Sequence, residues 1–171
     1  TQNPIEQQGV YPLPEAQLDR FLFKQIVDYP SAAEERTIVA THGGRMGAPD
    51  IDAWGVVAAA DSATLDAASA AVGSVRLVDD IVDYVVALVR ATREDPALEI
   101  GASPRAAAML ASAARARAAL DGRDYVIPDD VKALALPVLR HRVILSAAAQ
   151  IDGRRVEAVV ADLVAATPAP R

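Results

Sequence analysis

Three side chains in this sequence are of a type and in a setting that could serve phosphate chemistry. Asn3 lies in "TQNP", where its amide could orient a water or contact a phosphate oxygen, and where it could equally serve a plain Asn-Pro turn. Arg20 closes the stretch "PEAQLDRF". A guanidinium at the end of an element can reach across an interface and offset charge developing on a phosphoryl group. Glu15 and Asp19 are near enough in sequence to hold Arg20 in an ordinary surface ion pair instead. Arg105, in "GASPRA", falls in the first turn of a helix, where free amides and the helix dipole already favour an anion. A cation is mildly unfavourable there for the helix itself, which makes a structural role less natural and a phosphate ligand more so, while a plain structural role stays open.

Other polar residues invite plainer readings. His141 in "LRHRV" suits a helix surface or a helix-helix contact, and Trp54 suits packing. Arg115 and Arg117 read as a solvated face. Asp79, Asp80 and Asp83 sit where the first turn of a helix prefers acids. No metal site is expected: there are no cysteines and only two histidines, His42 and His141, far apart in sequence.

The elements that must carry these residues are mainly helical. Of the 171 residues, 52% are apolar but only 4% aromatic, and the excess is alanine, valine and leucine. Alanine is the strongest helix former. A net charge of -6 argues against a nucleic-acid surface, which needs clustered Lys and Arg. No apolar run reaches the roughly 18 to 20 residues that span a bilayer, and no signal peptide opens the chain, so a cytoplasmic location is expected.

Residues 1–14 read as a loop and "PEAQLDRF" as a short helix. "LFKQIVDYP" reads as a buried strand stopped by Pro30. Ser31 and Glu34 have capping-box spacing for a helix ending at Gly43 or Gly44 in a left-handed cap. "GGRMGAPDIDAWG" reads as a linker, and everything past Asp61 as helix. Val78, Ile81, Val82, Val85, Leu88, Val89 and Thr92 make one stripe of a helix stopped by Pro96. Ser103 and Pro104 open the next helix, Ala106, Met109, Leu110, Ala113 and Leu120 form its apolar face, and Gly122 ends it. Pro128 and two aspartates open another, although Ile127 offers no capping oxygen and Pro137 should kink it. "RVEAVVADLVAAT" is a last amphipathic helix and "PAPR" a frayed tail. One strand cannot form a sheet alone. Its partners are expected upstream of Thr1, which makes this the C-terminal part of a larger α/β protein.

"TQNPIEQQGVYPLPEAQLDRF" together with "GASPRAAAMLASAARARAALDGRDYVIPDDVKALALPVLRHRV" resembles the MoxR family of AAA+ ATPases, over residues 1 to about 146. The fold this implies is the C-terminal fragment of an α/β P-loop NTPase (AAA+) core followed by an all-α helical lid, the chain being predominantly α. Residues 1–42 would close the core, 43–60 would link, and 61–171 would form the lid. The resemblance makes Asn3 sensor 1, Arg20 the arginine finger and Arg105 sensor 2. It implies ATP and Mg2+ as cofactors, bound through residues upstream of Thr1, because the Gly-rich phosphate loop and the magnesium-binding acidic pair are absent from this sequence. By itself the chain is expected not to hydrolyse ATP. The intact protein would be an ATP hydrolase and chaperone working as a homo-oligomer ring, with a hexamer the expected size. It would act on a protein client with a partner bearing a von Willebrand factor A domain. Rival readings are a related AAA+ motor, such as a magnesium-chelatase subunit or a replicative helicase, and a non-catalytic helical interaction module.

Overall fold

The computed structural model describes residues 13–44 and 54–170, which divide into two compact units: 13–24 with 69–170, and 25–68. The opening loop through Pro12, most of the expected linker (45–53) and Arg171 lie outside the described residues.

The larger unit is built on four long helices. They are α4 (Asp79–Glu94), α5 (Pro104–Leu120), α6 (Pro128–Leu139) and α8 (Val156–Ala166), with the short α1 (Glu15–Leu18) and α7 (Ala147–Ile151) beside them. α5 packs most extensively on α6, and α4 and α8 complete the layer around Leu88, Leu110, Val131, Val138, Leu139 and Val159, all fully buried. α5 contributes Ala106, Ala113, Ala114 and Ala118 to this core. These side chains have no rotamer freedom to lose on burial and let neighbouring helices come close.

The helix starts follow local chemistry. Pro104 and Pro128 occupy first-turn positions, where a missing N–H costs nothing. Gly122, past the end of α5, has φ 74°, a conformation other residues take at a cost. α6 runs through Pro137 to Leu139, and the Pro137 carbonyl accepts from the Lys24 amide at 2.9 Å.

Several expectations fail here. "LFKQIVDYP" is not a strand: residues 23–31 have no regular structure and are exposed, and no strand among the described residues offers them a ladder. The region past Asp61 is not wholly helical, because β1 (Leu98–Ile100) pairs antiparallel with β2 (Ile144–Leu145). Such short strands leave no periodicity to read. On α4, Tyr84 joins the buried stripe, whereas Val78 and Val82 are exposed. Leu120 is exposed, although Ala118 in the same turn is fully buried. Residues 168–170 of the tail are not frayed, since Ala169 packs against the core.

In the unit 25–68, α2 (Ala32–His42) opens with the expected capping box. The Ser31 amide donates to Glu34 at 2.7 Å, and the Glu34 amide donates back to the Ser31 hydroxyl at 3.4 Å. The helix ends before Gly43, which caps it in a right-handed conformation (φ -66°) instead of the expected left-handed one. α3 (Ser62–Ser74) starts in this unit, and Asp61 accepts from the Thr64 amide at 2.8 Å. No described residue of 25–68 is buried.

Candidate functional site

The first turn of α5 is fixed from behind by α4. Thr92 is fully buried; its hydroxyl donates to the Val89 carbonyl at 2.6 Å and accepts from the Ala102 amide at 2.9 Å. The Arg93 Nε donates to the Ala102 carbonyl at 2.8 Å. Both backbone groups of Ala102 are therefore satisfied by α4 side chains. This orients the loop that delivers Ser103, Pro104 and Arg105.

Ser103 has the backbone conformation of an N-cap, but its hydroxyl does not cap the helix. It turns instead to the Asp19 carboxylate, at 3.2 and 3.3 Å from the two oxygens. The Arg105 Nη1 lies 3.9 Å from the same carboxylate, with half of the Arg105 side chain exposed.

Asp19 is held from the other side by Arg142, whose side chain is 1% exposed and whose Nε donates to Asp19 Oδ1 at 3.0 Å. Arg142 also donates to the carbonyls of Asp19 (3.0 Å), Leu22 (3.2 Å), Phe21 and Val138. One guanidinium thus gathers three carbonyls just past the C-terminal end of α1, where a cation is favoured. Burial pulls the Arg142 pKa down, and the hydrogen bond and charge of Asp19 oppose this without cancelling it. The guanidinium stays charged regardless. Next to it, His141 Nε2 lies 2.9 Å from the Phe21 carbonyl. Burial lowers the His141 pKa, the Phe21 carbonyl opposes that, and the charges of Arg142 and Lys24 lower it further; the net shift is downward.

These contacts correct one expectation. Asp19 does not hold Arg20; its carboxylate is committed to Arg142, Ser103 and Arg105. The Glu15 side chain lies outside the described residues. Arg20 itself is exposed, in the turn directly after α1. The structure therefore brings Arg105 to Asp19, the residue before Arg20. Asn3 lies outside the described residues.

A second cluster braces α6. Asp130, 2% exposed, takes a two-pronged pair from Arg123 at 2.7 and 2.8 Å, and Arg117 Nε lies 3.5 Å away. The Asp130 carboxylate also accepts from the Ile127 amide at 3.0 Å, the reciprocal half of a capping box whose other half the apolar cap residue cannot make. Burial raises the Asp130 pKa, but the hydrogen bonds from Arg123 and Ile127 and the charges of Arg123 and Arg117 outweigh it and lower it. Arg117 is thus a partner of a buried acid and not part of a plain solvated face.

Sequence reading placed Thr92 in the apolar stripe without its hydrogen bonds and passed over Arg142 and Gly101. Arg142 acts through partners remote in sequence. Gly101 carried a visible signal, a glycine immediately before "ASPR".

The described residues form a helical layer with a small antiparallel two-stranded sheet and present an arginine at the first turn of a helix. The model of the AAA lid domain matches residues 90–163, and that of the ATPase family associated with various cellular activities (AAA) matches residues 1–23. Chaperone MoxR1 of Mycobacterium tuberculosis is 44% identical over 169 residues, covering 94% of this chain and 43% of that protein. An uncharacterised protein of Bacillus subtilis, YeaC, is 42% identical over 170 residues, covering 99% and 52%. A crystal structure from Cytophaga hutchinsonii with a provisional ATPase assignment superposes with a TM-score of 0.85 at 29% identity, covering 100% of this chain and 53% of that one. The chain belongs to the MoxR family of AAA+ ATPases, as a C-terminal part with the helical lid. It spans about half the length of the curated relatives it matches.

Proposed function

We propose that the intact protein is an ATP hydrolase that couples turnover to chaperone-like assembly or activation of protein complexes. In this reading residues 1–42 close the ATPase core, 43–60 link, and 61–171 form the lid. Arg20 is the arginine finger, reaching the nucleotide of a neighbouring subunit in a homo-oligomeric ring, with a hexamer as the expected size. Arg105 is sensor 2, and Asn3 is sensor 1, positioning the attacking water. The observation that carries the reading is that Arg20 is exposed while its sequence neighbour Asp19 lies 3.9 Å from Arg105, so Arg105 is paired to the residue next to Arg20.

Arg105 fits a nucleotide phosphate: it stands at a helix N-terminus, half exposed, with one loosely held partner. Mg2+ would neutralise phosphate charge, held by acidic residues that this sequence does not contain. What this chain contributes is placement. Phosphoryl transfer depends almost wholly on positioning and electrostatics, and an arginine supplied in trans is worth roughly 10³ to 10⁵ in rate. Also part of this proposal are a protein client, a partner with a von Willebrand factor A domain, and a cytoplasmic location. No helix among the described residues is long and apolar enough to cross a membrane.

The test is Arg20→Ala in the full-length protein. It should abolish most ATP turnover and spare nucleotide binding; wild-type turnover would sink the finger assignment.

A further inference from the structure

We infer that Asp19 is a positioning residue with two jobs: it restrains Arg105 when no phosphate is present, and it transmits release of that restraint to Arg20. The inference rests on the roles proposed above for the two arginines.

Geometry divides the contacts of Asp19 into a strong half and a weak half. The strong half is Arg142, buried, in contact with Asp19 at 3.0 Å through both carboxylate and carbonyl. Removing one partner of such a pair leaves a buried charge uncompensated, so this half is permanent. The weak half is Arg105, at 3.9 Å and half exposed. An exposed pair at that distance contributes little and is readily exchanged for a better anion. Phosphate oxygens offer shorter, charge-assisted hydrogen bonds. Nucleotide and Asp19 therefore compete for one guanidinium, and the carboxylate stands in for phosphate in the empty site.

The consequence at Arg20 follows from adjacency. Arg142 grips the backbone carbonyls of residues 19, 21 and 22, so the chain on both sides of Arg20 is fixed to the same guanidinium that orients Asp19. Ser103, one turn edge from Arg105, touches the same carboxylate at 3.2 Å. A shift of the α5 first turn on nucleotide binding thus reaches Arg20 through Asp19, and α5 also touches the clasp where the Met109 sulfur accepts from Arg142 at 2.8 Å.

Asp19→Asn in the full-length protein tests this. The amide keeps the shape but loses the charge that restrains Arg105. We expect affinity for a non-hydrolysable ATP analogue to tighten about two- to fivefold, the size of a lost exposed ion pair. We expect kcat to fall about ten- to a hundredfold, the cost of a finger misplaced by about 1 Å. A merely structural role would weaken both together. The affinity gain should also vanish when Arg105→Ala is added. An unchanged or weaker affinity, an unchanged kcat, or a gain that survives Arg105→Ala would overturn the inference. Should Asp19→Asn not assemble, Ser103→Ala is measured in its place. That variant leaves the Asp19–Arg105 pair in place but cuts the α5 first turn from Asp19, so kcat should fall while affinity holds, and an unchanged kcat overturns the inference equally. If Arg20→Ala turns over ATP normally, the finger reading fails first. If Arg20→Ala is inactive while Asp19→Asn behaves as wild type, only this inference fails.

Discussion

Gly101 lies against Arg93 so closely that a methyl on its α-carbon would sit 2.7 Å from the Arg93 α-carbon and 2.6 Å from the Thr92 carbonyl oxygen. The glycine is required here for its size, since its φ is not in the left-handed region. Gly101→Ala should force the loop before α5 off α4 and disturb the Thr92–Ala102 bond. We expect a loss of about 1–3 kcal/mol in chemical denaturation, the usual cost of overpacking against backbone. Unchanged stability would mean that the loop has slack the contacts do not reveal.

Arg105→Ala removes the only charged side chain in the first turn of α5. In the full-length protein, nucleotide dissociation constants should rise by about tenfold, as expected for loss of one charge-assisted hydrogen bond. Equilibrium titration measures this, and an unaltered constant would remove Arg105 from the site.

Asp130→Ala would leave the Ile127 amide unpaired and cut Arg123 back to Asp121 and the Tyr125 carbonyl at the start of α6. Removing the buried member of the pair should cost about 3 kcal/mol in denaturant unfolding. The folded-state pKa of Asp130 lies below its ordinary value of 3.8. Its contribution is therefore present above pH 3.8 and lost as pH falls through the lower folded value. The Ala variant should lose that part of the acid dependence.

The histidine beside Arg142 gives a second pH window. The pKa of His141 is lowered from its usual 6.5, so between the folded value and 6.5 the unfolded chain binds more protons than the folded one. Stability should be full above pH 6.5 and decline as pH falls through that window. His141→Gln should flatten the decline in thermal melts recorded from pH 7.5 to 5. A melt series with the same slope in both proteins would show that another group titrates there.

What could be read from the sequence was what neighbours decide. Ser31 with Glu34, Pro104, Pro128 and Gly122 mark helix ends because their chemistry is complete within a turn. "LFKQIVDYP" misled because apolar composition describes a strand only where another strand is available to pair. The α4 stripe drifted toward Tyr84 because which face is buried depends on where α5 and α8 lie. In the candidate site, Arg20 and Arg105 could be singled out by their positions at element ends. The carboxylate paired with Arg105 could not be assigned, since Asp19 and Arg142 are 123 residues apart and no local pattern pairs them.

That separation also sets an order of assembly. The contacts within α4, β1 and α5 join residues close along the chain, whereas the clasp of Arg142 on residues 19–22 must close a loop of more than a hundred. Loop closure costs entropy that the clasp recovers only once both ends are ordered. On a ribosome the short α1 emerges long before its clasp does. Residues 19–22 must wait with open carbonyls until the α6–β2 turn has been made, so the arm that carries Arg20 is fastened only once residue 142 is in place.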